Sequence, residues 1–188
     1  MNIIIFFILL FQVILMVTIV LVSIITVYFM LSSKFMCNAP PVPSNKKIKA
    51  AVIQDISKIL KKRKDQIIMD LGSGWGTLLI PLAKKFPQHR FVGIEYAYIP
   101  YFISNFRSKR MSNLTFHRQN FFNADISHAN IIFLFLLNHV MHKVSLKCQK
   151  ETRKGTLFYV NRFPMKNMKL EKEISLGSKY DTYYVYKN

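Results

Sequence analysis

Apolar residues run almost without a break from Ile3 to Leu31, and no charged side chain occurs before Lys34. A helix needs only ~20 such residues to cross a ~30 Å hydrocarbon core, so the pattern predicts one membrane-spanning helix, an anchor over residues 1–33. A cleaved signal peptide would show a positive n-region, a shorter apolar core and a small-residue cleavage site, and the segment has none of these. Lys34, Lys46, Lys47 and Lys49 follow the span and no basic residue precedes it. This places the rest of the chain on the cytoplasmic, or equivalent matrix-like, side.

Behind the anchor the periodicity changes twice. "CNAPPVPSN", 37–45, cannot continue a helix, which makes 34–45 a proline-rich juxtamembrane segment. Ser44 then reads as an N-cap to an amphipathic helix carrying Ile48, Val52, Ile56 and Ile59/Leu60 on one face. From there short apolar runs alternate with helical patterns. Strands are expected at Gln66–Asp70, Arg90–Glu95, Leu114–His117, Asn130–Leu136 and Thr156–Asn161. Helices are expected at Thr77–Phe86, if Pro81 falls in its first turn, at Pro100–Met111, and where Leu137, Val140, Met141, Val144 and Cys148 share a face. "KLEKEISL" and "YDTYYVYK", separated by Gly177-Ser178, read as a terminal β-hairpin. The fold class is therefore α/β, a Rossmann-like, doubly wound and mostly parallel sheet over residues 46–188.

Charge narrows the partners. The net charge of +18 lies wholly beyond the anchor, and Lys outnumbers Arg 20 to 7. Such a surface favours anionic partners, and for a tethered chain acidic head groups come ahead of nucleic acid. Two cysteines, Cys37 and Cys148, lack any zinc or redox spacing and fit a reducing compartment. His139 and His142 stand at i and i+3, but with no third ligand in sight no metal site is expected.

The chemistry concentrates in "IIMDLGSGWGTLLI", 67–80, where a buried strand ends in Asp70 and three glycines follow within five positions. Gly72, Gly74 and Gly76 allow a sharp strand-to-helix turn and a close approach of backbone to ligand. A dinucleotide site reads G-x-G-x-x-G, whereas this turn reads G-x-G-x-G. The shorter form suits a nucleoside with an amino-acid tail, whose ammonium group Asp70 would receive. Glu95 closes the second strand 21 residues beyond Gly74, the position from which an acidic side chain accepts hydrogen bonds from ribose hydroxyls.

"DLGSGWG" resembles the first motif, D/E-x-G-x-G-x-G, of the class I S-adenosylmethionine-dependent methyltransferases. With the flanks "PPVPSNKKIKAAV", "NIIFLF" and "GTLFYVNRFP", the chain over 40–165 is similar to the membrane-anchored lysine methyltransferases that modify the c-subunit of ATP synthase, and to their prokaryotic relatives. The resemblance implies that Asp70, Gly72 and Gly74 hold the methionine part of S-adenosyl-L-methionine, with Gly76 shaping the turn and Glu95 on the ribose. Asn120 stands near the adenine where the family usually shows an acidic residue, and Leu137 where it tends to have proline. Val42, Pro43 and Ser44 match the segment that closes over the substrate side. Asn138 and His139 are the candidates for polar contact with a substrate amine at the end of the apolar "IIFLFLLNH" run. The implied activity is lysine N-methylation of a membrane protein, as with the ATP synthase c-subunit. Methylation of a lipid-soluble small molecule, or a binding role alone, is the alternative.

Overall fold

The computed structural model describes residues 3–35, 46–166, 168–175, 177 and 182–188. The chain divides into two compact units, Met1–Pro40 and Pro41–Asn188. The first contains one helix, α1 (Ile3–Phe35), whose Ile3–Tyr28 stretch is long and apolar enough to cross a membrane. Its threonines add no unmet polarity. Thr18 and Thr26 each donate their hydroxyl to the carbonyl four residues back, on Ile14 and Val22, at 2.8 Å. That internal pairing is what a hydrocarbon surrounding requires.

The second unit opens with α2 (Lys46–Leu60) and continues β1 (Ile67–Leu71), α3 (Leu79–Lys85), β2 (Arg90–Glu95), α4 (Tyr98–Ser108) and β3 (Leu114–Arg118). A 3-10 turn at Phe121–Asn123 leads to β4 (Ile131–Leu134), α5 (Asn138–Glu151), β5 (Leu157–Asn161), β6 (Lys169–Ser175) and β7 (Thr182–Lys187). The strands form one sheet in the order β3-β2-β1-β4-β5-β7-β6. Strands β1 to β5 are parallel, and β7 runs antiparallel to both β5 and β6.

The hairpin folds back so that β7, not β6, lies against β5. Composition explains the choice. Thr182, Tyr183, Val185 and Tyr186 of β7 are buried, while the Lys- and Glu-rich β6 is exposed along nearly all its length. A charged strand at the edge also blocks pairing with other chains.

The sheet is covered on both faces. Ile48, Val52, Ile56 and Leu60 of α2, four residues apart and at most 1% exposed, pack with Leu79 and Leu82 of α3 on Ile68, Phe91, Phe133 and Tyr159. Val140, Met141, Val144 and Cys148 of α5 pack the other face, against Met69, Leu71, Ile132, Leu134 and Phe158. Each fully buried aliphatic or aromatic side chain contributes roughly 1.5–3 kcal/mol. Burial also pushes the Cys148 thiol up to about 12, so this sulfur is packing and not a nucleophile.

Three elements differ from the periodicity by two residues or more at an end, one of them α4, which runs Tyr98–Ser108 and not Pro100–Met111. The fourth strand ends at Leu134, not Leu136, because its partner β1 ends at Leu71, opposite Leu134, and the chain turns away at Gly72. The first crossover helix starts at Leu79, not Thr77, because the glycine turn extends through Gly76. Pro81 thereby falls in the first turn, where its missing N–H is harmless. The proline-rich segment and the Ser44 cap lie outside the described residues.

Candidate active site

Strand β1 is the middle one of the five parallel strands and stands at the switch point of the topology, since β2 and β3 lie to one side and β4 and β5 to the other. In open α/β sheets a crevice forms there, beyond the carboxyl ends of the strands. Asp70 sits at that end, in register with Gly93 of β2 and Phe133 of β4, and is 3% exposed.

The turn that follows is fastened to β2. The amides of Gly72 and Ser73 donate to Ile94 O at 2.8 and 3.0 Å, and the Gly76 amide donates to Ser73 O at 3.0 Å. Gly72, Gly74 and Gly76 all have positive φ, at 86°, 53° and 70°. Gly74 is the informative one. A side chain there would meet no protein atom within 4 Å, so its backbone faces open space, as a turn that receives a ligand must.

Glu95 is tied into the same turn. One carboxylate oxygen accepts from the Gly74 amide and the other from the Ala97 amide, each at 2.7 Å. Burial pushes its pKa up, opposed by the amide donors of Ala97, Gly74 and Tyr96. Asp70 has less support. Burial, and secondarily the charge of Glu95, push it up to about 8. Two carboxyl groups held together in a dry site fit a cationic ligand.

Unmet polarity occurs in the turn and at the carboxyl ends of two strands. Among the described residues, three buried side-chain oxygens have no hydrogen-bond partner, namely Asp70 Oδ1, Ser73 Oγ and Asn161 Oδ1. Asp70 and Asn161 stand at the carboxyl ends of β1 and β5, and Ser73 in the glycine turn. Such atoms cost about 1–3 kcal/mol each unless something else meets them. The residues present therefore fit a ligand with an ammonium group and further hydrogen-bond donors. The spacing of the glycines pointed to the turn, but Ser73 and Asn161 carry no sequence signal that separates them from ordinary spacers. Nor does Arg107, which donates to Trp75 O at 2.8 Å and fastens the turn to α4.

The remaining candidates are more peripheral. Asn120 is exposed and caps the 3-10 turn, its oxygen accepting from the Phe122 amide at 3.0 Å, so an adenine amino group would have to share that oxygen. Asn138 and His139 form the exposed first turn of α5, just past the end of β4. Leu136, in the connection before them, reaches over Gly72, where an added Cβ would lie 2.9 Å from its Cδ2. Val42, Pro43 and Ser44 lie outside the described residues.

Comparison with known proteins agrees with this geometry. The model of the ANTKMT methyltransferase domain matches residues 70–172, more than half the chain and beginning at Asp70. A protein-lysine N-methyltransferase from Saccharolobus islandicus is 29% identical over 157 residues, covering 81% of this chain and 95% of its own length. The crystal structure of an RNA methyltransferase from Salinibacter ruber in complex with S-adenosyl-L-homocysteine superposes with a TM-score of 0.66 at 26% identity, covering 78% of this chain and 93% of that one. A putative methyltransferase from Escherichia coli, 17% identical over 79% of this chain and 89% of its own, has a TM-score of 0.60 and shows the shared fold. Glycine turn, paired carboxylates, strand order and domain match converge: the chain belongs to the ANTKMT methyltransferase domain family, as a class I S-adenosylmethionine-dependent methyltransferase.

Proposed function

We propose that this enzyme is a protein-lysine N-methyltransferase, anchored by α1 and acting on a membrane protein near the bilayer surface. The observation that carries the site assignment is the unpartnered Asp70 Oδ1 beside Glu95, at the mouth of a turn whose Gly74 faces open space. Asp70, Gly72 and Gly74 would hold the methionine end of S-adenosylmethionine, and Gly76 would shape the turn. Glu95 would hold the ribose with lone pairs left over from its two amide bonds, and Asn120 would lie near the adenine.

The cofactor supplies an electrophilic sulfonium methyl, so the protein's task is to present a neutral amine in line with it and to exclude water. With the cofactor bound, the lysine lone pair would take the methyl as the C–S bonding electrons pass to sulfur, and the nitrogen would then shed a proton. Phe135, Leu136 and Leu137, all half-buried, would form the apolar approach that favours the neutral amine. Asn138 and His139 would contact it, and the segment Val42, Pro43 and Ser44 would close the substrate side.

Lysine as acceptor is supported by the relative from Saccharolobus islandicus, a protein-lysine N-methyltransferase. The membrane setting is supported by the 26-residue apolar stretch Ile3–Tyr28 and the basic residues after it. On this reading the chain comprises an anchor over 1–33, a juxtamembrane segment over 34–45 and a catalytic domain over 46–188, facing the cytoplasmic or matrix-like side. Fixing enzyme and substrate in one bilayer raises their effective concentration. The c-subunit of ATP synthase, the substrate implied by the sequence resemblance, is the first acceptor to assay.

A second reading, RNA methylation, draws on the net charge of +18 and the likeness to the Salinibacter ruber RNA methyltransferase. Incubation of the full chain with methyl-labelled cofactor and a membrane fraction separates these, because label is counted apart in polypeptide, RNA and organic extract. Label in polypeptide supports the lysine reading, and label confined to RNA or lipid overturns it.

A further inference from the structure

Helix α4 turns its small residues to the sheet and its large apolar ones to solvent. Pro100, Ser104 and Ser108, four residues apart, are buried, and the two serine hydroxyls donate to Tyr101 O and Asn105 O at 2.9 and 3.1 Å. On the other side Tyr98, Phe102 and Phe106 are 59%, 59% and 71% exposed, with Ile99 at 38%. Tyr98 and Phe102 stack with ring centroids 6.5 Å apart. At 100° per residue these four side chains fall on one stripe about 100° wide. The stripe is not needed for the core, which the serine face already serves.

The charge around it has one sign. Arg107, Lys109 and Arg110 are exposed at the end of α4, and the Arg118 guanidinium of β3 lies 5.5 Å from the Tyr98 ring centroid. From Tyr96 to Ala124 the sequence contains no Asp or Glu. Aromatic and aliphatic side chains rimmed by Lys and Arg are the chemistry of a helix that lies in a bilayer interface, rings in the acyl boundary and cations at phosphate level.

We propose that the α4 face docks on an anionic lipid surface. Tyr98, Ile99, Phe102 and Phe106 enter the interface, and Lys109, Arg110 and Arg118 meet the head groups. Because α4 begins three residues after Glu95, docking would hold the mouth of the candidate cofactor site at the bilayer surface. The inference rests on the membrane reading above for the presence of a bilayer, and its test separates the two.

The full chain is mixed with vesicles bearing brominated acyl chains, either zwitterionic or enriched in phosphatidylglycerol, and floated on a density gradient. Phe106→Trp adds an indole whose emission is taken as the difference from the parent chain. Leu170→Trp, on exposed β6 at the far edge of the sheet, is the control. The expected result is a blue shift and loss of most emission for Phe106→Trp in the anionic vesicles, with the control unquenched. Lys109→Glu with Arg110→Glu should abolish that quenching. A chain that floats while its Phe106→Trp indole stays unquenched overturns docking and leaves the anchor standing; a chain that does not float overturns both. Equal quenching in zwitterionic vesicles, or a shift seen only on adding a substrate polypeptide, also overturns the proposal and in the latter case gives the face to a protein.

Discussion

At Asp70, burial and the nearby Glu95 charge raise the carboxyl from its ordinary 3.8 to about 8, which links the site to pH. A carboxyl whose pKa is raised on folding lends stability that is complete below the unfolded value and lost as pH rises through the folded one. The cofactor-free chain should therefore melt at progressively lower temperature between pH 3.8 and about 8, relative to an Asp70→Asn variant that lacks this component. Thermal scans of both across that window measure it, and parallel profiles would contradict it. A cationic ligand favours the ionised form, so cofactor binding near neutral pH should release a proton from Asp70. Calorimetry in buffers of different ionisation enthalpy should detect that release and should find it missing in Asp70→Asn.

Gly74 and Glu95 separate ligand effects from folding effects. Gly74→Asp places a side chain in space that no protein atom fills, at a φ of 53° that costs a non-glycine residue about 1–2 kcal/mol. Cofactor binding should be lost, while the melting temperature falls only by the several degrees that this strain implies. Glu95→Ala should do both, because it frees the Gly74 and Ala97 amides as well as removing the ribose acceptor. Roughly 1–3 kcal/mol should be lost from stability and from affinity alike, as read by denaturant titration and calorimetry.

Among the elements, Asp55 ties α2 to both β5 and β6 by side-chain hydrogen bonds. Asp55 of α2 accepts from Tyr159 of β5 at 3.1 Å and from Lys172 of β6 at 2.5 Å. Asp55→Ala would leave the buried Tyr159 hydroxyl unpaired and should destabilise the domain by about 1–3 kcal/mol, measured by denaturant unfolding. At the start of α5, Asn138→Ala and His139→Ala should lower kcat with cofactor affinity and melting temperature unchanged, since both side chains are exposed. Unaltered turnover in both would remove α5 from the substrate contact.

The helix and strand order could be read from periodicity because each element has one buried stripe or face. Ile48, Val52, Ile56 and Leu60 are the clearest case. Two things could not. Which hairpin strand joins β5 depends on burial of Tyr183 and Tyr186 against a sheet that periodicity does not show. The outward face of α4 was illegible for a related reason, since apolar residues at helical spacing look alike whether they face a core or solvent.

For the whole molecule, the candidate cofactor site was legible in one stretch of sequence and the acceptor side was not. Asp70, the three glycines and Glu95 lie 25 residues apart at most, so local spacing carries them. The proposed acceptor side draws on β4 and α5, and the unpartnered Asn161 oxygen at the end of the neighbouring β5 appears only in the folded sheet. The apolar N-terminal helix and the +18 charge belong to this scale too, and it is on them that the proposed work at an anionic surface rests.

The central claim is methyl transfer to lysine on a membrane polypeptide from the Asp70–Glu95 site. The measurement that reaches it most directly is mass spectrometry of membrane proteins after incubation with the full chain and methyl-labelled S-adenosylmethionine, beside the Gly74→Asp variant. The expected result is labelled methyl-lysine in one or a few membrane polypeptides with the parent chain, and none with the variant. Cofactor bound by the parent chain, yet label absent from every lysine, would contradict the claim.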